Sequence, residues 1–88
     1  MKRYIRSTHD EQGKPKPFDA AAQKAWDDAK GLGHFLDPRK AMTLDEIIAW
    51  CKEYDGQFPQ DAPCFTSEQI KKGLALLVEH GLVTEVEE

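Results

Sequence analysis

The sequence predicts an α+β domain, mostly α: three helices closed by a short antiparallel strand pair drawn from the two chain ends. Three observations predict it. A helix-start pattern occurs twice, as Met42-Thr43-Leu44-Asp45-Glu46-Ile47 and Phe65-Thr66-Ser67-Glu68-Gln69-Ile70. In each, the Thr hydroxyl accepts an early backbone N–H and the Glu or Gln side chain returns the bond. The preceding apolar residue packs on the following Ile. The second helix so started runs into His80-Gly81-Leu82, a Schellman-type ending, and then the β-like run Leu82–Val86. A lone strand leaves its backbone groups without ladder partners, and the only other good strand candidate is Arg3–Arg6.

Residues 1–6 form the first strand, and 7–18, with Gly13, Pro15 and Pro17, read as a flexible arm or loop. The helical body and C-terminal strand occupy 19–88, and the whole is a single domain. Asp19 caps a first helix through Lys30, with Phe18, Ala22, Ala25, Trp26 and Ala29 on one face. Gly31 suits its C-terminus, and 33–41 connect, with Phe35 and Leu36 turned into the core. The second helix runs from Leu44 to about Tyr54 on a Leu44, Ile47, Ile48, Cys51 stripe, and Asp55-Gly56 ends it. Pro59 and Pro63 keep 57–65 non-helical, with Phe58 and Phe65 as anchors. The third helix, Ser67 to about Glu79, sets Ile70, Leu74, Leu77 and Val78 inward, with Gly73 allowing close approach.

The capped helix, connection, second capped helix and closing Ala75-Leu76-Leu77-Val78-Glu79-His80-Gly81-Leu82-Val83 resemble a winged-helix, helix-turn-helix-like domain over 42–86. There too a recognition helix ends at a glycine and passes into a wing strand. The resemblance implies the three-helix fold and a binding role, since winged helices include DNA-binding regulators and protein-interaction modules. Two departures stand out. The connection between helices two and three is longer than the usual three or four residues, and one C-terminal strand leaves no wing hairpin. The strand partner is therefore expected from the N-terminus. Lys2, Arg3 and Arg6 would then lie near Glu85, Glu87 and Glu88, exposed pairs that favour the pairing without driving it.

The 88 residues are 40% hydrophobic and 32% charged, ordinary for a soluble globular chain. No apolar run is long enough to cross a bilayer, and no apolar stretch follows the basic start, so neither a membrane span nor a secretory signal is expected. Two cysteines without an export signal point to free thiols and a cytoplasmic location. The net charge of −4 is uneven: residues 1–16 carry +3, the body 17–82 carries −4 and the last six residues −3. An acidic body works against broad affinity for nucleic acid, while the basic arm allows a local contact.

Metal and catalytic chemistry find little support. His9, His34, Cys51, Cys64 and His80 lack the close ligand pairs of a structural zinc site. Cys51 falls on an apolar face, and nothing brings Cys64 to His34 or His80 as a nucleophile and base. Gly31-Leu32-Gly33-His34 lacks the third glycine and preceding strand of a dinucleotide loop. No metal, cofactor or enzymatic activity is expected. What remains is a small non-enzymatic regulatory or accessory module that binds another macromolecule.

A protein partner fits best. Ala75 and Leu76 lie off the core stripe of helix three, Trp50 and Tyr54 are offset from that of helix two, and Phe58 opens an unusually apolar loop. The alternative is a DNA-binding regulator using Arg39 and Lys40 before helix two and Lys71, Lys72 and Gln69 on helix three. That helix has no arginine, and Glu68–Lys72 and Lys72–Glu79 balance describes a solvated face equally well.

Overall fold

The computed structural model describes residues 1–10 and 12–87. In chain order it contains β1 (Lys2–Arg6), α1 (Ala20–Asp28), a 3-10 turn (Leu32–Phe35), β2 (Met42–Thr43), α2 (Leu44–Gln57), α3 (Ser67–Glu79) and β3 (Val83–Glu87). The fold is α+β, mostly α, as the sequence predicts.

Both predicted helix starts are formed in full. The Thr43 hydroxyl accepts from Glu46 N–H at 3.2 Å, and Glu46 accepts from Thr43 N–H at 3.0 Å. At α3 the reciprocal pair is Gln69 N–H to the Thr66 hydroxyl at 3.1 Å and Thr66 N–H to the Gln69 amide oxygen at 2.9 Å. Two of the four orphan helix donors are thereby satisfied at each start. Hydrogen bonding from Thr43, its backbone N–H first and its side chain second, holds the Glu46 carboxyl below its ordinary pKa. Asp19 caps α1, accepting from Ala22 N–H at 2.7 Å.

The helix ends depart from expectation at two places. α1 stops at Asp28 rather than Lys30, because Lys30 and Gly31 both take left-handed backbone (φ 56° and 83°). α2 continues through Gly56 to Gln57. The expected stop there is not made: Gly56 stays out of the left-handed region, and Phe58 N–H still reaches Tyr54 C=O at 2.8 Å. α3 closes as predicted, with Leu82 N–H to Leu77 C=O at 2.9 Å and Gly81 N–H to Val78 C=O at 3.1 Å. That is the Schellman pair, with Gly81 at φ 75°.

The terminal strands pair antiparallel, Lys2 opposite Glu87 through Arg6 opposite Val83. The sheet, however, has three strands in the order β2-β1-β3. The expected two-strand arrangement omits Met42–Thr43, which pairs with Arg3 and Tyr4 while serving as the lead-in to α2. Lys2 meets Glu85 at 3.1 Å, as expected of the paired termini; on the β2 side Arg3 also reaches Glu46 at 3.4 Å, and Arg6 donates to Gly33 C=O at 3.5 Å. The expectation for Glu88 lies outside the described residues.

The segment after β1 doubles back. Asp10 Oδ1 accepts from Gln12 and Lys14 N–H, both at 2.9 Å, and Lys16 N–H reaches Thr8 C=O at 2.9 Å. Behind the sheet, one core joins all three helices through Ala22, Ala25, Leu32, Leu36, Ile47, Cys51, Ile70, Leu74, Leu77 and Val83. Gly73 sets the spacing between α3 and the segment that follows α1: a Cβ there would lie 2.7 Å from Leu32 Cδ2, in the 3-10 turn, and 3.7 Å from Ala29 Cβ.

Candidate functional site

The inward stripe of α2, centred on Ile47 and Cys51, leaves Trp50 and Tyr54 to the side, one helical turn apart. Phe58 follows where the helix ends. Trp50 is 45% exposed and Phe58 49%. Phe58 is therefore not the core anchor expected of it. Its ring lies 5.0 Å from that of half-buried Tyr54, outside the core. Tyr54 in turn packs edge-on against Phe35 at 5.2 Å, and Phe35 against Phe65 at 6.2 Å. This chain of rings anchors an exposed aromatic edge to the buried interior, giving the edge a fixed position at little entropic cost.

A groove of about 400 Å³ opens beside that edge, lined by His34, Phe35, Trp50, Tyr54 and Pro63 and by the charged Lys30 and Asp61. Trp50 also walls a second groove, of about 330 Å³, with Asp37, Lys40, Glu46 and Glu53. The aromatic signal was legible in Trp50, Tyr54 and Phe58. His34 and Pro63 were missed, because they enter from the turn after α1 and the loop after α2, which only the tertiary fold brings together; Glu53 was missed although it lies on α2 itself, between Trp50 and Tyr54.

The two remaining predicted contact residues do not join this patch. Leu76 is half-buried and packs against the core rather than pointing freely outward. It walls a separate groove of about 220 Å³ with Phe65, Gln69 and Lys72. Ala75 is exposed but faces another flank, in a groove of about 430 Å³ with Tyr4, Leu44 and Val78. The reason is angular: adjacent helix positions are about 100° apart, so α3 turns them to different sides.

The basic candidates are also dispersed. Lys71 lines the groove of Ala75 and Lys72 that of Leu76. Among the described residues Glu68 pairs with Lys71 at 3.9 Å, instead of with Lys72 as expected. The amide oxygen of Gln69 is committed to the α3 cap. Lys40 sits across the molecule in the second Trp50 groove, near Arg39, whose backbone N–H donates to Asp37 at 2.7 Å.

Among the described residues, no three His, Cys, Asp or Glu side chains are grouped to hold a metal ion, and no helix is long and apolar enough to cross a membrane. Cys51 is buried, and burial pushes its thiol from its ordinary 9.0 up to about 11. Cys64 is exposed, its backbone N–H donating to Asp55 at 3.4 Å. No family model, curated protein or solved structure matches the chain.

Proposed function

We propose that this chain is a non-enzymatic accessory or regulatory module that binds another protein through the aromatic edge of α2 and the loop after it. The observation that carries this reading is the joint exposure of Trp50 and Phe58 on either side of Tyr54. Large aromatic side chains held at a rigid edge beside a groove are the usual anchors of a protein interface. The winged-helix-like order of capped helices, glycine ending and strand is compatible with such a module. Its free thiols suit a cytoplasmic setting. The scatter of Arg39, Lys40, Lys71 and Lys72 over separate surfaces, in an acidic chain, gives a phosphate backbone no continuous track.

The test is quantitative affinity capture with immobilised wild-type chain, a Trp50→Ala/Phe58→Ala variant and a Lys71→Ala/Lys72→Ala variant. A partner held by the wild type and the lysine variant but lost from the aromatic variant supports the reading. Titration of labelled duplex DNA at two salt concentrations runs beside it. Selective DNA binding at physiological salt, lost in the lysine variant, overturns the reading in favour of DNA recognition.

A further inference from the structure

Trp50 stands as a ridge between two grooves of different chemistry. On one side His34, Phe35, Tyr54 and Pro63 make an aromatic and apolar wall, with Lys30 and Asp61 as a charge-balanced pair of lining residues. On the other side lie Asp37, Glu46, Glu53 and one lysine, Lys40. Glu46 is engaged by Arg3 and by its cap. Asp37 and Glu53 have no basic partner among the described residues. We infer that the occupant of this face is an extended proline-rich segment carrying a lysine or arginine, with its prolines in the aromatic groove and its cation over the Asp37–Glu53 side. The inference rests on the protein-binding reading and names the partner chemistry of that same face.

Shape and charge together select this occupant. An α-helix is about 10–12 Å across and needs an uninterrupted trough, which the Trp50 ridge breaks. A polyproline II segment is thin, has three residues per turn and makes no internal hydrogen bonds, so its side chains divide between grooves and its carbonyls seek donors. Aromatic-lined grooves are the general solution for binding such segments. The Trp50 indole N–H and the Tyr54 hydroxyl have no hydrogen-bond partner within the described residues, and both residues line the first groove. The acidic second groove then favours a cation over an anion, with the Trp50 ring face adding a cation–π site. Proline stiffness also lowers the ordering entropy that a flexible peptide loses on binding.

The experiment is fluorescence anisotropy of the full chain against three labelled peptides: a proline-rich peptide bearing lysines, the same peptide with glutamate for lysine, and the same peptide with glycine for proline. Saturable binding of the first is expected, weakened about tenfold or more in each of the other two. Trp50→Ala removes binding, and a melting curve matching wild type shows that this exposed substitution leaves the fold intact. Glu53→Lys, a second exposed change, weakens the lysine peptide and narrows its advantage over the glutamate peptide. Absence of binding, equal binding of the glycine peptide, or binding that survives Trp50→Ala overturns the inference. If the peptides fail while capture of a native partner still requires Trp50 and Phe58, the interface stands and the occupant falls. If neither depends on those rings, both readings fall.

Discussion

Gly73 shows how a single atom decides the approach of α3 to the turn after α1. A Cβ at that position would lie 2.7 Å from Leu32, which is fully buried and hemmed in by the core. Gly73→Ala is therefore expected to lower stability by about 1–3 kcal/mol through overpacking, measured as a lower denaturant midpoint with unchanged slope. The capping threonines act more locally: Thr43→Ala and Thr66→Ala should each cost about 0.5–2 kcal/mol. At α2 the cap also has a pH signature. The Glu46 carboxyl is held below its ordinary 4.5, so its contribution is fully present above pH 4.5 and is lost as pH falls through the folded value. Thr43→Ala should shrink that acid-side loss, read from thermal melts between pH 6 and pH 3 (about the range of the carboxylate). Cys51 acts in the opposite range. Its neutral thiol is favoured by burial, so stability should fall as pH climbs from 9.0 toward about 11. A thiol reagent at neutral pH should label exposed Cys64 and spare Cys51 until the chain unfolds. The caps and the role of Gly73 were legible because each is written in a few adjacent residues. Gly33 was not: its lack of a side chain makes room for the Trp26 indole, a contact set by how α1 meets the turn after it.

At the scale of elements, the terminal strands were legible by elimination, since β3 needed a partner and only residues 3–6 offered one. The strand β2 was hidden because Met42 and Thr43 already had a local explanation as the lead-in and cap of α2. Two residues carry no period that a sequence pattern can register. Their tertiary role is nevertheless definite, since β1 lies between β2 and β3 and both depend on it for ladder hydrogen bonds. Deleting residues 1–6 should consequently lower the melting temperature and remove amide protection across Val83–Glu87. Equal melting temperature and equal protection in the truncated chain would show that β3 holds its conformation without β1. The loss should extend to α2, because Arg3 bridges from the sheet to Glu46 at the first turn of that helix.

Across the whole molecule, the aromatic and the aliphatic halves of the predicted interface separate. Trp50 and Tyr54 were legible as helix positions offset from the core stripe and Phe58 as the start of an apolar loop, and the fold keeps the three on one edge. Leu76 had the same offset signature, but it is half-buried against the core and lines one groove with Phe65, which the 58–66 connection brings to that side, so an apparent surface residue becomes part of the core edge. The two sites should therefore respond differently to substitution. Leu76→Glu introduces a carboxylate beside Phe65 and the core edge, so it should lower the melting temperature, and any loss of partner binding should track the loss of fold. Trp50→Ala removes a ring that is nearly half exposed at 45%, so it should leave the melting temperature close to wild type while weakening a protein partner about tenfold or more. Lys71→Ala with Lys72→Ala should change neither by much, because those amines line two different grooves and one already faces Glu68. Parallel melts and binding isotherms of the three variants check the separation. A Leu76→Glu protein that melts like wild type yet loses its partner would move the interface onto α3. Steep salt dependence abolished by the lysine pair would move it to a charged surface instead, because rim lysines acting together on phosphates control affinity through counterion release and not through burial.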